Sequence, residues 1–108
     1  MKRTPRFGTR VFTKAEREYC DGKGVVASQS YAARFAAKEA FLKAIGTGWR
    51  GKITWLDIEV VSDNKGAPLL KIHGEAQKIL KNCGANRVHL SISHTSDLAI
   101  AEVILEKS

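Results

Sequence analysis

Between Tyr31 and Ile45 the large apolar side chains recur at helical spacing. On a wheel turning about 100° per residue, Tyr31, Phe35, Leu42 and Ile45 form one stripe with Phe41 at its edge. Ala32, Ala33, Ala36, Ala37, Ala40 and Ala44 cover most of the remaining circumference, so this helix is expected to pack closely on more than one side. Ser30 is placed to cap its start and Gly46 to end it. Upstream, Thr13-Lys14-Ala15-Glu16 has the reciprocal capping pattern and opens a short helix that stops near Asp21-Gly22, leaving residues 22–30 as a loop. Downstream the period changes from helical to alternating. Leu56, Ile58 and Val60 alternate with Asp57, Glu59 and Val61, a half-buried strand; Asp63-Asn64-Lys65-Gly66 is a turn. A second strand runs from about Ala67 to Ile72, and Pro68 places its start at a sheet edge. A short helix covers Glu75 to Asn82, with Gly84 just beyond it. Val88, Leu90 and Ile92 alternate with His89, Ser91 and Ser93, and a turn at His94–Asp97 leads into a last strand, Leu98 to Leu105. Two hairpins and their helices predict an α+β domain, a mainly antiparallel sheet packed on a long central helix.

Length then limits the domain count. A chain of 108 residues forms one domain, residues 1–108, with one core. Hydrophobic residues at 44% and charged residues at 27% are globular values. No apolar run approaches the roughly 18 residues of a membrane span, and the basic start Met1–Arg6 is not followed by a signal-peptide core. Cys20 and Cys83 have neither metal-ligand nor redox spacing and read as free thiols of a cytoplasmic protein. Net charge is +7, and up to Arg17 six basic residues face a single acid, Glu16. Such a surface speeds encounter with an acidic partner; nucleic acid and a small acidic protein both satisfy it.

The candidate chemistry sits on the alanine-rich helix. Glu39 lies four residues before Lys43, so a carboxylate suited to a cation adjoins an ammonium suited to an anion. The plain alternative is a surface ion pair. Lys38 falls inside the apolar stripe, where a lone lysine could simply snorkel outward, but Lys38, Glu39 and Lys43 together are harder to dismiss. Gly46-Thr47-Gly48 would let a phosphate approach the backbone, or simply end the helix. Ser93, His94 and Asp97 are too close in one turn to build a triad, which makes His94 a surface histidine or a ligand contact. His73 and His89 read as incidental, and Trp49 and Trp55 as core.

As an ordered set, Arg34-Phe-Ala-Ala-Lys-Glu-Ala-Phe-Leu-Lys43, Gly46-Thr-Gly, Asp57-Ile-Glu-Val, Lys65-Gly-Ala-Pro68 and Ser91-Ile-Ser-His-Thr95 resemble the holo-acyl-carrier-protein synthases, the short bacterial class of 4′-phosphopantetheinyl transferases. The resemblance covers roughly residues 6 to 106. It implies a magnesium-dependent transfer of phosphopantetheine from coenzyme A to a serine of apo acyl carrier protein, in a cytoplasmic homotrimer with sites at subunit interfaces. By the same resemblance Glu39 is the metal-binding glutamate, and Glu39 and Lys43 are the catalytic pair. Lys43, Gly46, His94 and Thr95 would contact coenzyme A, and Arg6 and Arg10 would meet the acidic carrier protein. No nucleic-acid recognition motif accompanies the charge.

The resemblance breaks at the start of the chain. The family's opening strand, with Gly-Ile-Gly-x-Asp and a second metal-binding carboxylate, has no counterpart before Phe12, and the first aspartate is Asp21. The sequence thus reads as an N-terminally shortened domain starting at an internal methionine. Such a chain is expected to be unstable or nearly inactive, or a remnant that binds carrier protein or coenzyme A without turnover.

Overall fold

The computed structural model describes residues 6–46, 53–95 and 98–107. Its elements in chain order are helices α1 (Arg6–Val11) and α2 (Lys14–Asp21), a 3₁₀ turn at Gly24–Val26, and the long helix α3 (Ala27–Ile45). A 3₁₀ turn at Trp55–Asp57 then leads into strands β1 (Ile58–Ser62) and β2 (Pro68–Ile72). Helix α4 (Gly74–Asn82) precedes strands β3 (Arg87–His94) and β4 (Ala99–Glu106).

The expected capping box opens α2: the Thr13 hydroxyl accepts from the Glu16 N–H while Oε1 of Glu16 accepts from the Thr13 N–H at 2.8 Å. The start of α3 differs from the sequence reading. It begins at Ala27 behind the 3₁₀ turn, and its N-cap, Val26, offers no side-chain bond. Ser30 lies inside the helix and its hydroxyl donates to Sγ of Cys20 at 3.2 Å. Burial against α2 therefore outweighs the capping preference of Ser30. At the other end Gly46 adopts φ 76°, a left-handed conformation that glycine takes without steric cost, and its N–H donates to the carbonyl of Lys43.

Both hairpins form in antiparallel register. Ile58 pairs with Ile72 and Val60 with Leu70 in the first; Val88 pairs with Leu105 and Leu90 with Val103 in the second. Each hairpin is its own two-stranded ladder, with β2 lying alongside β3. Leu56 does not join the first strand. It sits in the 3₁₀ turn and is exposed, because the Asp57 carboxylate caps that turn from Thr54 and holds the chain out of extended geometry.

Helix α3 is packed between the β3–β4 hairpin on one side and α2 with β1 on the other, as its small-residue surface predicts. Its lower half contributes Phe41, Leu42 and Ile45 to a core completed by Ile53, Ile58, Ala76 and Leu80. Its upper half contributes Tyr31 to a second cluster with Val11, Phe12 and Cys20. Phe12 and Tyr31 meet edge to face at 4.8 Å, and Trp55, tilted on Phe35 at 5.0 Å, packs against both clusters. No helix of the described residues is long and apolar enough to cross a membrane.

Candidate functional site

Glu39 and Lys43 stand side by side on the exposed face of α3, one helical turn from the Gly46 cap. They form no ion pair with each other among the described residues, so the plain surface-pair reading is not what the geometry shows. An acid beside a base, each without an ion-pair partner among the described residues, keeps both groups available to a ligand carrying opposite charges. Thr47 and Gly48 lie outside the described residues, as do Trp49, Ser96 and Asp97, and so do the side chain of Arg6 and residues 1–5. Arg10 is exposed on the last turn of α1.

His94 and Thr95 fall at the tip of the β3–β4 hairpin. The Thr95 N–H donates to the carbonyl of Leu98 at 2.8 Å and its hydroxyl accepts from the Leu98 N–H, which closes the tip. His94 lines an open cleft of about 290 Å³ together with Lys23, Arg34, Tyr19, Ser62 and Pro68. Glu39 and Lys43 do not line it. One chain therefore carries two separate charged stations, the cleft and the exposed pair on α3.

The cleft is built for negative charge. Arg34 is buried on α3 with its guanidinium 4.0 Å from the centre of the Tyr19 ring, and its Nε has no hydrogen-bond partner among the described residues. Lys23 lies 4.6 Å from the same ring. A hydrogen bond to Lys23, with the charge of Arg34 behind it, holds the Tyr19 phenol below its ordinary value. Sequence reasoning gave Arg34 no role. The available signal was a second buried-face cation one turn before Lys38.

Lys38 is also corrected. It does not snorkel but is fully buried, with Nζ donating to Oε1 of Glu16 at 2.8 Å, to the carbonyl of Trp55 at 3.1 Å and to the carbonyl of Ile58. Oε2 of Glu16 accepts from the Val60 N–H at 2.6 Å. Of the other histidines, Nε2 of His73 lies 3.0 Å from Glu59 and Nε2 of His89 3.0 Å from Glu106, both on the exposed surface.

A family model for the 4′-phosphopantetheinyl transferase superfamily matches residues 1–102. A holo-[acyl-carrier-protein] synthase of Koribacter versatilis is 50% identical over 101 residues, covering 94% of this chain and 80% of that protein. The chain belongs to this family. Among solved structures, the holo-[acyl-carrier-protein] synthase of Neisseria meningitidis superposes with a TM-score of 0.82 at 38% identity, covering 94% of this chain and 80% of the other. That of Bacillus anthracis, solved in complex with CoA (3′,5′-ADP), has a TM-score of 0.77 at 42% identity, covering 95% and 82%. The α+β architecture around one long helix is thus that of the holo-acyl-carrier-protein synthases.

Family membership puts a magnesium site in question, and Glu39 is the residue to test. Among the described residues no cluster of three His, Cys, Asp or Glu side chains could hold a metal. Magnesium, however, is commonly held by one or two carboxylates, its other positions being filled by water and substrate phosphates. Glu39, exposed and unpaired, fits such a single-carboxylate site.

Proposed function

We propose that this chain transfers the 4′-phosphopantetheine group of coenzyme A to a serine of an apo acyl carrier protein, giving the holo carrier protein and adenosine 3′,5′-bisphosphate. The observation that carries the reading is the exposed, unpaired Glu39–Lys43 couple on α3, in a chain half identical to a holo-[acyl-carrier-protein] synthase.

In the reaction the serine oxygen forms a bond to the phosphorus that carries pantetheine. The pyrophosphate bridge breaks, and adenosine bisphosphate leaves with the bridging oxygen. Negative charge builds on that leaving group. In this reading the Lys43 ammonium offsets this charge, the kind of electrostatic stabilisation that lowers a phosphoryl-transfer barrier. Glu39 is the residue that would hold Mg²⁺, and the ion, when bound, would supply Lewis-acid neutralisation of the same charge. Lys23 and Arg34 in the cleft supply the positive surroundings for the phosphate groups of the nucleotide end, with the His94 ring beside them, and Thr95 shapes the hairpin tip. Arg10, with Arg6, offers the basic approach for the acidic carrier protein.

Because the cleft and the Glu39–Lys43 couple are separate stations in one chain, a complete site joins the couple of one copy to the cleft of another. A homotrimer is the assembly this reading takes. The outer face of β3–β4, with Ile100 at 58% and Ile104 at 55% exposure, is available to the neighbouring copies. The reading also places the protein in the cytoplasm, where coenzyme A is present and where the free thiols Cys20 and Cys83 stay reduced.

Lys43→Ala tests the proposal. Loss of one charge-stabilising donor should lower the rate of holo carrier protein formation by about a hundredfold or more, with the melting temperature unchanged because Lys43 is exposed. Parent-like transfer by this variant would rule out the assigned role.

A further inference from the structure

Lys38, adjacent to Glu39 in sequence, is the one lysine on α3 that is completely buried among the described residues, with an exposure of 0%. An ammonium has three donors, and all three are used: Glu16 from α2, and the carbonyls of Trp55 and Ile58 from the chain entering β1. The Glu16 carboxylate is as fully engaged. It takes Lys38 and the Thr13 N–H on one oxygen and the Val60 N–H on the other. The pair therefore pins three elements, α2, α3 and β1, at one point. Consecutive residues on a helix project about 100° apart. Fixing the direction of Lys38 fixes the axial rotation of α3, and with it the direction of Glu39 and of Lys43 one turn later.

A buried ion pair is a costly way to secure a core. Replacing one with apolar groups of similar size is often neutral or stabilising, and the surroundings here are apolar, with Phe12 at 5.4 Å from Nζ. What an apolar residue at this position would not do is bind directionally to two specified carbonyls and a carboxylate. We infer that Lys38, held by Glu16, is a positioning residue for the transfer: it sets where Glu39 and Lys43 stand relative to the β1–β2 hairpin, without touching substrate. This rests on the proposed roles of Glu39 and Lys43.

The test compares three variants of the full chain, each assayed for kcat and for KM towards coenzyme A with apo acyl carrier protein. Glu16→Gln/Lys38→Met removes both charges together, and glutamine remains acceptable in the capping pattern. The expected result is a folded protein whose kcat is lowered about tenfold to a hundredfold, as follows from a displacement of the reacting groups of the order of an ångström, with KM for coenzyme A changed less than about twofold. Parent-level kcat in the folded double variant would overturn the inference and leave the pair a packing feature. Should the double variant fail to fold, Glu16→Asp, which keeps the charge opposite Lys38 but shortens its reach, decides: lowered kcat at unchanged KM supports positioning, and unchanged kcat overturns it. Glu39→Gln runs alongside. Parent-level kcat in that variant would remove the underlying assignment of Glu39, whatever the pair does.

Discussion

A buried ion pair and a half-buried carboxylate organise the upper half of this molecule, and each makes a separate prediction. Lys38 and Glu16 are both out of water, so removing one leaves the other uncompensated. Lys38→Met alone should cost about 3–5 kcal/mol, read as a fall in the denaturant midpoint, whereas the paired replacement should recover most of it. Burial pulls the Lys38 ammonium below its ordinary value while Glu16 opposes that pull. Glu59 behaves differently. Burial pushes its carboxyl up, but hydrogen bonds from Thr13 and His73 outweigh this and hold it below the ordinary 4.5. A carboxyl lowered on folding adds stability that is present above its unfolded value and lost as pH falls through the folded one. The melting temperature of Glu59→Gln should therefore lie below that of the parent at about pH 7, and the gap should close towards about pH 3. A gap constant with pH would show that the ionised carboxylate is not the stabilising form. These partnerships were not legible in the sequence. Lys38 and Glu16 are 22 positions apart and Thr13 and Glu59 are 46 apart, and no periodicity relates residues at such separations.

At the scale of elements the sequence was most readable where one local cause dominates. The capping box at Thr13–Glu16, the glycine stop at Gly46 and the alternation of both hairpins all appear as read. The failures came where two local causes competed. Ser30 is a good cap residue, but Ala27, with no exposed surface, and Ser30 on Cys20 draw another turn of chain into the helix. Leu56 fits an alternating strand, but Thr54 and Asp57 form a reciprocal cap that turns the chain first. The Gly46 stop carries its own prediction. At φ 76° a side chain meets the left-handed penalty although, among the described residues, no atom lies near the added carbon. Gly46→Ala should cost about 1–2 kcal/mol, measured as a loss of stability. Because this residue follows Lys43 by three positions, kcat should fall with it. An alanine variant as stable as the parent would show that the left-handed turn is not what ends α3.

Across the described residues, those that the motif set singles out do not all meet in one cleft. His94 reaches the cleft and Glu39 and Lys43 do not. The sequence carried the membership of each motif but not this division, which depends on how the β3–β4 hairpin lies across α3. On the proposed reading the two stations are joined by assembly: light scattering should give a trimer, and a charge introduced on the outer face of β4, such as Ile104→Glu, should give monomers with little transfer. Active monomers would show that one chain completes the site alone. The expectation of near inactivity is tested at the same scale: this chain spans about four fifths of the relatives it matches, and Glu39 is the one protein carboxylate that the proposed function assigns to the metal.

The central claim is the transfer itself, and the mass of the acceptor reports it directly. Apo acyl carrier protein incubated with this chain, coenzyme A and magnesium should gain one phosphopantetheine group, and a chelator should abolish the gain. An unchanged carrier mass, with the chain folded and coenzyme A present, would contradict the account.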